Sequence, residues 1–170
     1  MAYWIKVFNR ADVGEYDQEI LLEAIVQSNY YTLCDQYGLD KEGVEPALEN
    51  LAVIQSPHED APFFVLKYQS EGKRPIVVYH WQVTDESGQE FVQFELDQVT
   101  STAVREHLRL TRNIYGIALA KSQLFDMGLL LGYELARWLA ERGSGLVKGL
   151  DGNWYQLNPY QAFVACELNE

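Results

Sequence analysis

Imidazole is the side chain that best exchanges protons near neutrality, so the three histidines are the first places where this sequence could do chemistry. His80 lies in the run Tyr79, His80, Trp81, where strand alternation points it away from both aromatic neighbours. Set in a pocket it would be a general base; in an ordinary sheet it is a paired or exposed histidine. His58 adjoins Glu59 and Asp60, which are metal-ligating types, yet adjacent residues on an extended chain diverge and no second histidine is near in sequence. His107 stands among Arg105, Glu106 and Arg109, a spacing that reads as the solvated face of a helix.

Other reactive types are less promising. Neither Cys34 nor Cys166 has a basic neighbour in sequence, and no serine stands in a strand-turn-helix glycine elbow. Gly143, Ser144 and Gly145 follow a helical stretch, whereas a phosphate-binding loop must precede one so that unpaired amides face the anion. These residues imply no cofactor and no metal, and they lend enzymatic activity no support while leaving it open. Two cysteines far apart match no zinc or redox spacing, and the first ten residues lack the apolar run and cleavage site of a secretory signal. No stretch approaches the roughly 18 to 20 apolar residues that cross a bilayer. A cytoplasmic protein without membrane partners is expected.

Charge carries more information. Of the 25 Asp and Glu residues in 170, residues 1–60 hold 12 against 3 Lys or Arg, a balance of −9 within a total of −12. Asp12, Glu15, Asp17, Glu19 and Glu23 gather at the start of the first predicted helix. A field of one sign repels nucleic-acid phosphates and steers a basic partner, while in the plainest case it only keeps a protein soluble. Tyr30 and Tyr31 follow closely, and aromatic anchors rimmed by carboxylates are a composition that protein interfaces use. Arg105, Arg109 and Arg112 form a small basic stripe, expected to be solvated or paired with carboxylates.

The elements that would position these residues follow from periodicity and punctuation. Residues 3–9 read as a strand, and Asp17 can cap a helix in which Leu21 with Ile25 and Leu22 with Val26 pair at four-residue spacing. The helix pauses near Ser28 and Asn29, resumes through Tyr30, Leu33 and Tyr37, and stops at Gly38. Residues 40–50 suggest a short helix and 51–54 a short strand. The runs 63–68, 76–83 and 91–96, separated by turn residues, predict a three-strand meander. In the last of these, Val92, Phe94 and Leu96 face the core and Gln93, Glu95 and Asp97 face water. Thr100 or Ser101 caps a helix to about Arg112, and 114–120 is a buried strand. Residues 127–142 form a long helix with a small-residue row of Gly128, Gly132, Ala136 and Ala140, and two short strands surround Asp151 and Gly152. Phe163 and Val164 dock in a tail. Consecutive strands in the middle favour a single α+β domain over 1–170, a mainly antiparallel sheet with helices packed on one face, over a doubly wound α/β fold.

The order strand, helix, hairpin over about 114–157, with Ala136, Leu139, Ala140, Gly143, Leu146 and Val147, resembles the closing unit of small bacterial immunity-type α+β proteins. That resemblance implies a non-catalytic protein that blocks a toxin, often a basic nuclease, through an acidic face. The expected function is therefore an acidic interaction domain that binds a basic protein through Asp12, Glu15, Asp17, Glu19, Glu23, Tyr30 and Tyr31, an immunity-type inhibitor being its sharpest form. Two alternatives stand beside it: a small enzyme or ligand-binding domain with a pocket near His80, and a structural subunit or homodimer formed through a sheet edge.

Overall fold

The computed structural model describes residues 1–55 and 63–166. Strand β1 (Tyr3–Asn9) is followed by helix α1 (Gln18–Val26), which begins where the Asp17 side chain accepts the Ile20 amide at 2.8 Å. Helix α2 (Tyr30–Tyr37) is capped by Asn29 and ends at Gly38, whose φ of 66° is the left-handed conformation that glycine adopts without a Cβ clash. A 3₁₀ turn at Lys41–Gly43 leads into α3 (Val44–Glu49), with Pro46 in the first turn, where its missing amide is not needed.

Strands β2 (Ala52–Gln55), β3 (Phe64–Lys67) and β4 (Ile76–Gln82) follow, then helix α4 (Glu86–Leu96) and helix α5 (Thr102–Arg109). After β5 (Asn113–Leu119) and a 3₁₀ turn at Lys121–Phe125 come α6 (Met127–Gly143), β6 (Gly145–Lys148), β7 (Trp154–Leu157) and β8 (Phe163–Ala165). The strands form one eight-stranded antiparallel sheet in the order β2-β3-β4-β5-β1-β6-β7-β8, which makes the fold α+β.

One expectation fails here. Residues 91–96 are not a strand but the end of α4, so the meander is β2, β3 and β4 instead. Gly88, Val92 and Glu95 are the buried positions of α4, spaced four and three residues apart as one helix face requires. Six residues with apolar side chains at 91, 92, 94 and 96 satisfy both a period of two and a period of 3.6, and the window was too short to separate them. Gly88 is required by contact: a Cβ there would meet the Gln82 carbonyl oxygen at 2.1 Å. Of the two expected caps Ser101 is the one used for α5; smaller departures are that α5 stops at Arg109, short of Arg112, and that the docked tail contributes strand β8, paired with β7.

The backbone divides into two compact units, Met1–Trp4, Glu15–Tyr79 and Ile117–Leu135 in the first, and Ile5–Gly14, His80–Gly116 and Ala136–Glu170 in the second. In the first, Leu21, Ile25, Tyr30 and Cys34 from α1 and α2, and Phe64, Leu66, Ile76 and Val78 from the sheet, are all buried. In the second, Phe8, Ile114 and Leu146 of the sheet form one apolar cluster with Val92 of α4 and Val104 and Leu108 of α5; Trp81, Phe91 and Trp154 pack against it. Neighbouring residues of a strand point to opposite faces, and Phe8 meets this cluster while the Asn9 amide donates to the Leu139 carbonyl of α6 at 3.0 Å. Helices thus cover both faces of β1 in this unit. The approach to Asn9 is close enough that a Cβ on Gly143 or Gly145 would fall 2.2 Å or 2.0 Å from its side chain.

Candidate functional site

Strand β4 and strand β5 bring together two residues that the sequence assigned to rival readings. Asn113, buried on β5, donates from Nδ2 to Asp12 Oδ1 at 2.7 Å and presents its Oδ1 to His80 Nε2 at 2.8 Å. An ionised carboxylate only accepts, so the Asn113 amide orientation is fixed and His80 Nε2 carries the proton. The His80 ring also stacks on Tyr115 with centroids 4.6 Å apart and planes within 10°. A cavity of about 510 Å³ is lined by Asp12, Asn113, Gln82, Thr84 and Arg112, and His80 is not on its wall. The chain Asp12, Asn113, His80 orients an imidazole, and Nε2 is the atom it uses to do so.

In the first unit, helices α1 to α3 hold the acidic cluster. Glu15, Asp17, Glu19 and Glu23 are exposed, with Asp17 occupied as the α1 cap. Residues 15–50 contain nine carboxylates and one basic residue, Lys41, whose Nζ lies 2.8 Å from Asp35. Tyr30 does not belong to a contact surface: it is 1% exposed, and its hydroxyl donates to the Ile25 carbonyl at 2.6 Å, closing the junction of α1 and α2. Position 30 begins α2 directly after the cap, where the helix turns into the core. Tyr31, one residue on, is 44% exposed with its hydroxyl 3.4 Å from Glu45. Loss of hydration, then the Glu45 carboxylate, push the Tyr31 phenol above its ordinary pKa. Exposed Ile20, Val26 and Tyr37 lie on the same two helices. Asp12 is part of the second unit, so it is not grouped with these residues.

The second unit contains a charged cluster around Glu95, a residue that the strand reading of 91–96 turned to water. Lys6 of β1 and Lys148 of β6 are direct cross-strand partners, an arrangement that repels unless something intervenes. Glu95 of α4 intervenes. Its Oε2 accepts from Lys148 Nζ at 2.7 Å, and its Oε1 lies 3.6 Å from Lys6 Nζ with no hydrogen-bond donor. The Glu95 residue is 1% exposed, whereas Phe94, expected in the core, is 55% exposed. Aromatic faces border both ammoniums: Lys6 lies 5.7 Å from the Phe91 ring centre and 6.0 Å from that of Phe94, and Lys148 lies 5.8 Å from that of Trp154. A cavity of about 440 Å³ opens beside the carboxylate, lined by Glu95, Lys148, Ser101, Asn153, Trp154 and Cys166 among others. A helical reading of 86–96, with Gly88, Val92 and Glu95 on one face, is the signal that would have found it.

The remaining candidates have structural roles. His107 is half-buried, not solvated: its Nε2 donates to the Phe8 carbonyl at 2.7 Å, and burial lowers its pKa below the ordinary histidine value. Arg105 binds the Val99 carbonyl at 2.9 Å and that of Leu96, not a carboxylate, and so closes the C-terminal end of α4. Burial pushes the thiols of Cys34 and Cys166 upward, away from the reactive thiolate. His58, Glu59 and Asp60 lie outside the described residues. Among the described residues no group of three His, Cys, Asp or Glu side chains converges as a metal site would require, and no helix is long and apolar enough to cross a membrane. Comparison with protein-family models, with curated proteins and with solved structures finds no match to this chain.

Proposed function

We propose that this protein is a non-enzymatic interaction domain that binds a basic protein through the acidic helices of its first unit. The observation that carries this reading is the composition of the exposed face: nine carboxylates with a single basic residue over residues 15–50, beside exposed Ile20, Val26, Tyr31 and Tyr37. Each part has its own physical task. Unbalanced charge accelerates encounter with a partner of opposite sign, and desolvation of apolar anchors slows dissociation. An immunity-type inhibitor of a basic toxin is the sharpest form of this proposal, and it is the form suggested by the resemblance over about 114–157.

Capture from the native lysate over a salt gradient tests it, with the wild-type protein beside a Glu15→Lys, Glu19→Lys, Glu23→Lys variant and a Tyr31→Ala variant. A stoichiometric basic protein should be retained at low salt, released at high salt, and lost by the triple variant, whose circular dichroism stays unchanged. Retention that ignores both salt and charge reversal would contradict the proposal.

A further inference from the structure

We infer that the cavity beside Glu95 in the second unit binds a small organic oxyanion, a carboxylate or phosphate attached to an apolar body, with Lys148 as its principal ligand. Two ammoniums share one carboxylate here, so the Lys6, Glu95, Lys148 cluster carries a surplus positive charge in a place where Glu95 is 1% exposed. The surplus sits on two lysine side chains that are 24% and 22% exposed, so water solvates it only in part, and a bound anion would neutralise it. Lys148 is the member that can meet it, because it lines the cavity, its side chain is 22% exposed, and it spends one N–H on Glu95 Oε2. An ammonium has three donors.

The rest of the wall suits the other end of such a molecule. Trp154, Val99 and Val104 give an apolar surface, and Asn153 and Ser101 are neutral hydrogen-bonding groups at its edge. Ser101 is also the cap of α5, so the N-terminal end of that helix borders the same cavity. A cationic ligand is disfavoured on two counts: it would add to the surplus, and Glu95, the only carboxylate among the described residues of this wall, already faces two lysines.

The test is a titration of the full chain, followed by ¹H–¹⁵N spectroscopy at the Trp154 indole N–H, with benzoate, phenyl phosphate and benzylamine as probes. Benzoate or phenyl phosphate should produce a saturable shift at concentrations up to about 10 mM, and benzylamine should not. The preference between the two anions separates a carboxylate site from a phosphate site. Glu95→Gln removes the competing negative charge and should tighten anion binding about threefold or more, a gain that a purely structural cluster would not produce. Lys148→Met should weaken it about tenfold or more. If Lys148→Met does not fold, the wild-type contrast and Glu95→Gln still decide the matter. Equal or stronger binding of benzylamine, no saturable shift with either anion, or weaker anion binding by Glu95→Gln would overturn the inference.

Discussion

The two units use charge in opposite ways. In the first, carboxylates stand exposed on short helices, and Asp35 lies within ion-pair distance of Lys41. The second buries one carboxylate between two lysines that face each other across neighbouring strands. Exposed charges of the first kind contribute little to folding because water solvates them equally well in the unfolded chain. A buried group of the second kind has lost that solvation, and removing one member strands the others. Surface charge is therefore available for recognition, whereas the buried trio is bound up with stability, and the two respond differently to the same kind of substitution.

The largest expected effect comes from breaking the buried cluster. Lys148→Met leaves Glu95 with Lys6 at 3.6 Å as its only cation and should cost about 3–5 kcal/mol in urea unfolding. A loss below about 1 kcal/mol would show that Glu95 is hydrated and that the contrast between the units is false. Next is Gly143→Ala, whose Cβ would fall 2.2 Å from Asn9 Nδ2 and 2.8 Å from the Ala11 carbonyl oxygen. Crowding of that sort costs about 1–3 kcal/mol, measurable as a lowered Tm. Tyr30→Phe deletes the hydrogen bond to the Ile25 carbonyl and should cost about 1 kcal/mol. The neighbouring Tyr31→Phe should change stability by less than about 0.5 kcal/mol. That pair sharpens the division between core and surface within one helix.

A pH-dependent effect belongs to His107. Burial pulls its pKa below the ordinary value of 6.5, although the bond to the Phe8 carbonyl opposes this, and nearby Arg10 adds to the lowering. The unfolded chain then takes up the proton first as pH falls. The stabilisation is complete above about pH 6.5 and is lost as pH drops through that value toward the lower folded one. His107→Gln can keep a donor for Phe8 without titrating, so its Tm should vary less with pH between 5 and 7 than that of the wild type. The smallest effect is expected from Glu15→Lys, Glu19→Lys and Glu23→Lys together, which should leave the unfolding midpoint nearly unchanged while altering any salt-dependent association.

How far the sequence could lead follows from the same comparison. Helix α1 was legible because Asp17 caps it and Leu21 and Ile25 repeat on one face, and β1, β5 and α6 were legible for similarly local reasons. The acidic face was legible too, since exposure of a carboxylate is what its solvation requires. Tyr30 was misassigned because the turn between α1 and α2 decides which of two adjacent tyrosines enters the core, and that is a tertiary fact. The buried trio was hidden twice over. Residues 91–96 fit two periods, and the strand reading sends Glu95 to solvent; moreover Lys6 and Lys148 meet through the pairing of β1 with β6, and Glu95 joins them through the packing of α4 on that sheet, more than fifty residues from either. The link from Asp12 through Asn113 to His80 is of the same kind, its two steps spanning 101 and 33 positions of sequence.

The most direct measurement compares two charge variants in one experiment, the Glu15→Lys, Glu19→Lys, Glu23→Lys protein and Glu95→Gln, each followed for partner retention across a salt gradient and for stability in urea. The triple variant should lose the basic partner with its stability intact, and Glu95→Gln should keep the partner while becoming less stable. Loss of the partner in Glu95→Gln, or its undiminished retention by the triple variant, would contradict the assignment of recognition to the acidic helices.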